Sequence, residues 1–239
     1  MTHALISRSI ANFRTYFQGE GIFSGLGVVN LDQNYDWPKK GSFPELKGLS
    51  DKFSQNMSNF EKTILMKQTS AGLWANGNHK ELAEWIIKVW GGIRRISEEK
   101  ISNYVERFEA GFAFKHVKGS ASYSKMLSFA RPNDFPIYDA RVATSLNVIQ
   151  DLVSSSNPVF FEVGQSRNRI VKEYSDQIQH KRRARAKQGW ELIPKTVVYE
   201  QYCALLHAYR AELEHCPVWE LEMALFADTE KLIDLLRKI

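Results

Sequence analysis

Apolar residues recur at helical spacing along most of this chain, and that periodicity restricts it to a mainly α fold. Leu82, Trp85, Ile86 and Val89 fall at i, i+3, i+4 and i+7. Asn78 with Glu81 three residues on gives that helix a capping-box start, and Gly91-Gly92 stops it. Ile101, Tyr104, Val105 and Phe108 repeat the pattern. Ser97 precedes them as an N-cap residue, with Glu98 and Glu99 placed to complement the positive end of the helix. Further helices are expected over 60–67, 122–130, 140–151, 168–179, 197–213 and 219–236. Only Val159-Phe-Phe-Glu-Val163 reads as a strand, which is too little for a sheet. Asp36-Trp-Pro-Lys-Lys-Gly-Ser-Phe-Pro44 and Ser154-Ser-Ser-Asn-Pro158 carry turn chemistry. The expectation is a single helical domain over 1–239, in which the second turn separates helical halves of about 1–153 and 159–239.

With 44% hydrophobic and 25% charged residues in 239, disordered, collagen-like and membrane classes are disfavoured. No stretch approaches the roughly 18 consecutive apolar residues of a spanning helix. Met1-Thr-His-Ala-Leu-Ile-Ser-Arg8 lacks the basic-then-apolar order of a signal peptide. Two cysteines, Cys203 and Cys216, can build neither a disulfide framework nor a four-thiolate iron–sulfur cluster. A reduced, cytoplasmic protein without cofactor, membrane or obligate protein partner is therefore expected. Cys203 and His207, with His215-Cys216 soon after, supply two thiols and two imidazoles. Their spacing matches no zinc motif and Cys203 continues an apolar face with Leu206, so no metal is expected.

The formal charge of +5 is concentrated in one place. Between Gln165 and Lys187 stand eight basic residues: Arg167, Arg169, Lys172, Lys181, Arg182, Arg183, Arg185 and Lys187. Only Glu173 and Asp176 oppose them, so the stretch carries +6; the remaining 24 basic and 25 acidic residues carry −1. Such an element attracts a polyanion, because each Lys or Arg set on a phosphate releases condensed counterions. Lys181, Arg182, Arg183 and Arg185 are the expected phosphate contacts, against the alternative of a solvated helix face.

The most specific chemistry lies between His116 and Val142. Lys118-Gly119-Ser120-Ala121 is a small-residue turn entering a helix, whose unpaired N–H groups suit a phosphate. Phe135-Pro-Ile-Tyr138 then leads extended into Asp139, where Ala140-Arg-Val-Ala-Thr-Ser-Leu146 begins a new helix. A carboxylate there is favoured in its ionised form and is also a good N-cap, so spacing alone leaves both roles open.

The ordered pair of turn-helix and Pro136-Ile-Tyr-Asp-Ala-Arg-Val142 resembles the helix-hairpin-helix superfamily of DNA glycosylases. Val117-Lys-Gly-Ser-Ala121 is similar to that family's Leu-Pro-Gly-Val-Gly-like hairpin, with Gly119 at the first glycine, Ala121 in place of the second and Lys118 in place of the proline. Asp139 falls at the catalytic aspartate. Ser124-Lys-Met-Leu-Ser-Phe129 and Trp219-Glu-Leu-Glu-Met-Ala-Leu-Phe226 further resemble small divergent glycosylases of phage defence, which act on glucosylated hydroxymethylcytosine. The resemblance covers about 114–147 and implies two helical halves around a cleft, double-stranded DNA as partner and an extruded modified base as substrate. Lys118, Gly119, Ser120, Ala121, Lys125 and Arg141 would meet the DNA. Bifunctional members carry a nucleophilic lysine just after the hairpin; aligned on Gly119 that position holds Tyr123, which implies a monofunctional hydrolase, and Lys125 lies two residues further on. Tyr138 and Tyr123 are the aromatics best placed to stack on the base, ahead of Trp74 and Trp90, beside the alternative that all four build the core. A repair glycosylase for oxidised or alkylated bases and a non-catalytic DNA- or RNA-binding helical module are the rival readings.

Overall fold

The computed structural model describes residues 13–37, 56–77, 79–114, 120–212 and 216–239. Helices dominate: α1 (Leu31–Asn34), α2 (Asn59–Ala75), α3 (His79–Glu84), α4 (Glu98–Glu109), α5 (Ser120–Ala130), α6 (Ala140–Leu152), α7 (Arg169–Asp176), α8 (Arg182–Lys187), α9 (Val198–Glu212) and α10 (Val218–Leu236). Their starts are chemically marked. Ser58 and Glu61 form a reciprocal capping box on α2, while Ser97 caps α4 and Asn168 caps α7. Asn78, the expected start of the third helix, lies outside the described residues.

Two elements depart from their sequence pattern. The helix expected through Val89 changes at Trp85–Trp90 into a π-helical turn, where Gly91 N–H donates to the Ile86 carbonyl. The extra residue per turn rotates Trp90 and Gly91 relative to a continuous α-helix, and such bulges are frequent at functional sites. The helix expected over 168–179 ends at Asp176, and a 3₁₀ turn (Ile178–His180) precedes α8.

The strand-like run pairs over two residues only, β1 (Val159–Phe160) against β2 (Glu191–Leu192), in parallel. Side-chain amides on α6 satisfy its backbone instead. Gln150 bonds both the N–H and the carbonyl of Val159, and Asn147 does the same for Phe161, all at 2.7–2.9 Å. Buried backbone polar groups must find partners, and here helix side chains replace a neighbouring strand.

Helix α10 packs on α6, α7, α9 and α1, and one hydrophobic core runs from Phe13 to Ile233. Ser145 on α6 donates to the Leu225 carbonyl at 2.6 Å, which brings α6 and α10 close at small residues. Asp228, fully buried on α10, accepts from Gly27 N, Tyr16 Oη and Asn34 Nδ2 at 2.8–3.0 Å. Gly27 has φ +78°, and a Cβ there would lie 2.3 Å from the Tyr16 carbonyl, so only glycine fits. This latch fixes the segment that carries Tyr35 and Trp37. Among the described residues no helix is long and apolar enough to cross a membrane.

Candidate active site

A cavity of about 810 Å³ opens between the end of the π-helical turn, the start of α6, the loop before α7 and the α10 face bearing Glu222 and Phe226. That size lies in the upper part of the range for small-molecule sites, roughly 300–1,000 Å³. Asp139, Lys125, Arg141 and Ala121 all line it.

The segment leading into Asp139 is held from several sides. Ser124 Oγ accepts from Tyr138 N–H at 3.0 Å, while Tyr199 and Tyr202 donate their hydroxyls to the Pro136 and Ile137 carbonyls at 3.2 and 3.0 Å. Burial pushes both phenols up, so they remain protonated donors. Asp139 then uses its two oxygens differently. Oδ1 accepts from Arg141 N and Val142 N at 3.0 and 3.2 Å and so caps α6, whereas Oδ2 faces Lys125 Nζ at 3.4 Å. One side chain thus caps the helix and faces Lys125 at the same time. Lys125 is buried, and the close approach of Gly91 makes room for it: a Cβ on Gly91 would meet Lys125 Cδ at 2.8 Å and two carbonyls at 3.0 Å. Gly91→Ala is expected to displace Lys125 and cost about 1–3 kcal/mol, read as a lowered urea midpoint.

The other side of the cavity was not legible in the sequence. Trp37, Tyr35 and Phe226 form an aromatic wall, with ring centroids 5.6 and 6.0 Å apart around Phe226. Glu222 also lines the cavity, buried and paired with Lys67 Nζ at 2.8 Å. Burial raises the Glu222 carboxyl, Lys67 opposes this most strongly, and the Asp139 charge adds a smaller upward push.

Tyr138 and Tyr123 do not line the cavity. Both are buried: Tyr138 donates to the Glu162 carbonyl at 2.9 Å and packs on Tyr202, and Tyr123 packs on Tyr104. A residue next to Asp139 in an extended segment points to the opposite side, and Tyr123 is rotated away from Lys125 on the same helix. Trp90 does line the cavity, against Phe129, while Trp74 stacks on His79 elsewhere. Arg141 reaches the cavity wall over the Phe226 ring but is paired with Glu230 at 2.6 Å. Ser120 begins α5; Lys118 and Gly119 lie outside the described residues.

The basic stretch is divided by its partners. Arg185 is buried and makes paired bonds to Asp151 at 2.7 and 2.5 Å, so it belongs to the core rather than to a DNA-facing surface. Arg182 reaches Glu162 and the Ile193 carbonyl at 3.1 and 3.0 Å. Lys181 pairs with Asp176 on the surface, and Arg183 is exposed. Arg94 and Arg167 stand exposed at the cavity rim, the latter donating to the Gly92 carbonyl at 2.9 Å.

His180 stacks on Tyr174 and meets Arg185 through Nδ1 at 2.7 Å. Burial first, and the Arg185 charge second, push its imidazole down from 6.5 to about 4. A folded value below the unfolded one means that protonation favours unfolding. This contribution is intact above about pH 6.5 and lost as pH falls towards 4. His180→Gln is expected to shrink the difference in urea midpoint between pH 7 and pH 4.5.

His207 bonds the Asp134 carbonyl at 2.8 Å and Cys203 is buried; His215 lies outside the described residues. Among the described residues, no group of three metal-ligating side chains converges. No protein-family profile, curated protein or solved structure matches the chain.

Proposed function

We propose that this chain is a DNA glycosylase that hydrolyses the N-glycosidic bond of an extruded base, with Asp139 as the catalytic carboxylate and glucosylated hydroxymethylcytosine as the favoured base. The observation that carries this reading is the held carboxylate: Asp139 lines a large cavity with its Oδ2 towards Lys125, another lining residue, while Oδ1 is locked to a helix start. Departure of the base develops positive charge on the deoxyribose, as in sugar hydrolysis, and a fixed carboxylate near the anomeric carbon stabilises it and orients water. The aromatic wall around Phe226 offers a stacking face, and the volume leaves room for a substituent beyond the pyrimidine ring.

The helix-hairpin-helix likeness belongs to this proposal too, with α5, the extended segment and α6 in the order that family uses. The exposed Arg94 and Arg167 at the rim suit phosphates flanking the extruded nucleotide. Arg94→Ala and Arg167→Ala are each expected to reduce the slope of log K against log salt by about 1, measured with duplex DNA.

The direct test compares plain, oxidised or alkylated, and glucosylated phage DNA for abasic-site formation. Sites on glucosylated DNA alone support the reading in full. Sites on damaged DNA alone move it to base-excision repair, and binding without sites on every substrate leaves a non-catalytic module. One observation favours a second reading of the chemistry. Lys125, not Tyr123, stands in the cavity, and 3.4 Å is long for a charge-assisted bond, which leaves its nitrogen loosely held. Covalent trapping by borohydride that disappears in Lys125→Met would make the enzyme bifunctional.

A further inference from the structure

We propose that Glu222 is the specificity-determining acceptor of the cavity, and that its free oxygen selects a base whose substituent carries a hydroxyl group. The inference rests on the glycosylase reading for the identity of the ligand as a base, but not for the acceptor itself.

Glu222 is 2% exposed and Lys67 is 1% exposed, so both charges have been taken almost wholly out of water. A buried ion pair is weak evidence for stability, because well-packed apolar residues of similar size usually serve as well or better. This pair differs from a purely internal one in facing a cavity. Lys67 occupies Oε2, and Oε1 has no protein donor among the described residues while Glu222 lines the void. Oε1 is not among the buried atoms left without a partner, so it is accessible from the cavity, and a ligand hydroxyl can donate to it there in place of water.

The surrounding charges narrow the donor. Asp139 and Glu222, which both line the cavity, are each paired with an ammonium group: Lys125, which also lines it, and Lys67, which does not. A cationic amine would gain from the two carboxylates what it loses to the two ammonium groups, whereas a neutral hydroxyl needs only the free oxygen. An anionic or acceptor-only group would face Oε1 unfavourably. Phe226 lies one helical turn from Glu222 on the same face of α10, so a ring stacked there would direct its substituent towards the carboxylate.

The test uses four duplexes that differ at one position: cytosine, 5-methylcytosine, 5-hydroxymethylcytosine or glucosylated hydroxymethylcytosine. Affinities are measured with the Asp139→Asn chain, so that no probe is consumed. The expected result is tighter binding of the hydroxyl-bearing probes. Adding Glu222→Gln should cut that preference by about 10- to 100-fold while leaving the cytosine probe unchanged. Lys67→Met combined with Glu222→Gln removes the stranded ammonium and should give the same loss if the single variant folds poorly. No preference before substitution, or a preference that survives both variants, overturns the proposal. Abasic-site formation by the chain with Asp139 intact separates the two readings. Excision with an unchanged probe ranking in the Glu222 variants sinks this inference alone. A ranking lost in those variants, without excision by the parent, sinks the glycosylase reading alone.

Discussion

Asp139→Asn is expected to give a folded protein that still binds duplex DNA but forms abasic sites about 100- to 1,000-fold more slowly. Asparagine is as good an N-cap as aspartate, so the bonds from Arg141 N and Val142 N to the Oδ1 position can be kept and α6 should not fray. What disappears is the negative charge of a carboxylate that lines the cavity and faces Lys125 through Oδ2. The loss should therefore fall on turnover, with little change in the salt-dependent affinity that comes from phosphate contacts. Single-turnover excision on a substrate cleaved by the parent, together with a urea melt, checks both halves. Undiminished excision removes Asp139 from the chemistry; a collapsed melt makes its role structural.

The largest effect on stability is expected at Arg185. Its guanidinium holds Asp151 through two bonds, reaches Tyr174 Oη at 3.1 Å and His180 Nδ1 at 2.7 Å, and lies 4.1 Å from the Trp190 ring centroid. Arg185→Ala leaves the Asp151 carboxylate largely buried without its partner and opens a hole beside Trp190. A loss of about 3–5 kcal/mol follows, a large share of the roughly 5–15 kcal/mol that stabilise an ordinary domain. Arg185→Met with Asp151→Asn removes both charges and should recover part of that loss. Urea denaturation of the three proteins decides the matter: equal destabilisation of the single and double variants would mean that packing on Trp190, not charge pairing, dominates.

Arg185 also marks where sequence reasoning stops. A run of cations such as Lys181-Arg-Arg-Ala-Arg185 reads as one basic surface, because composition cannot tell an outward arginine from an inward one. The helical turn of α8 points Arg183 to solvent and Arg185 into the core, and Arg182 is drawn to Glu162. Tyr138 was an attractive stacking residue because it adjoins Asp139, yet consecutive side chains in an extended segment face opposite ways. In the same manner the hairpin alignment chose Tyr123, whereas the turn of α5 presents Lys125 to the cavity and Tyr123 to Tyr104.

The sequence by itself determined the mainly helical character, the caps at Ser97 and Asp139, and the position of Asp139 at a helix start after an extended segment. These depend on spacings of three or four residues and on local backbone groups, so a short window contains their physics. Only the tertiary structure decided that Asp139 lines a cavity, which lysine faces its Oδ2, and that Glu222, paired with Lys67, and an aromatic wall from both ends of the chain complete the lining. Those partners meet because α2, α6 and α10 bury their apolar faces together. Burial is non-directional along the sequence: it requires that the faces meet, but no local pattern states which residues will then share a void.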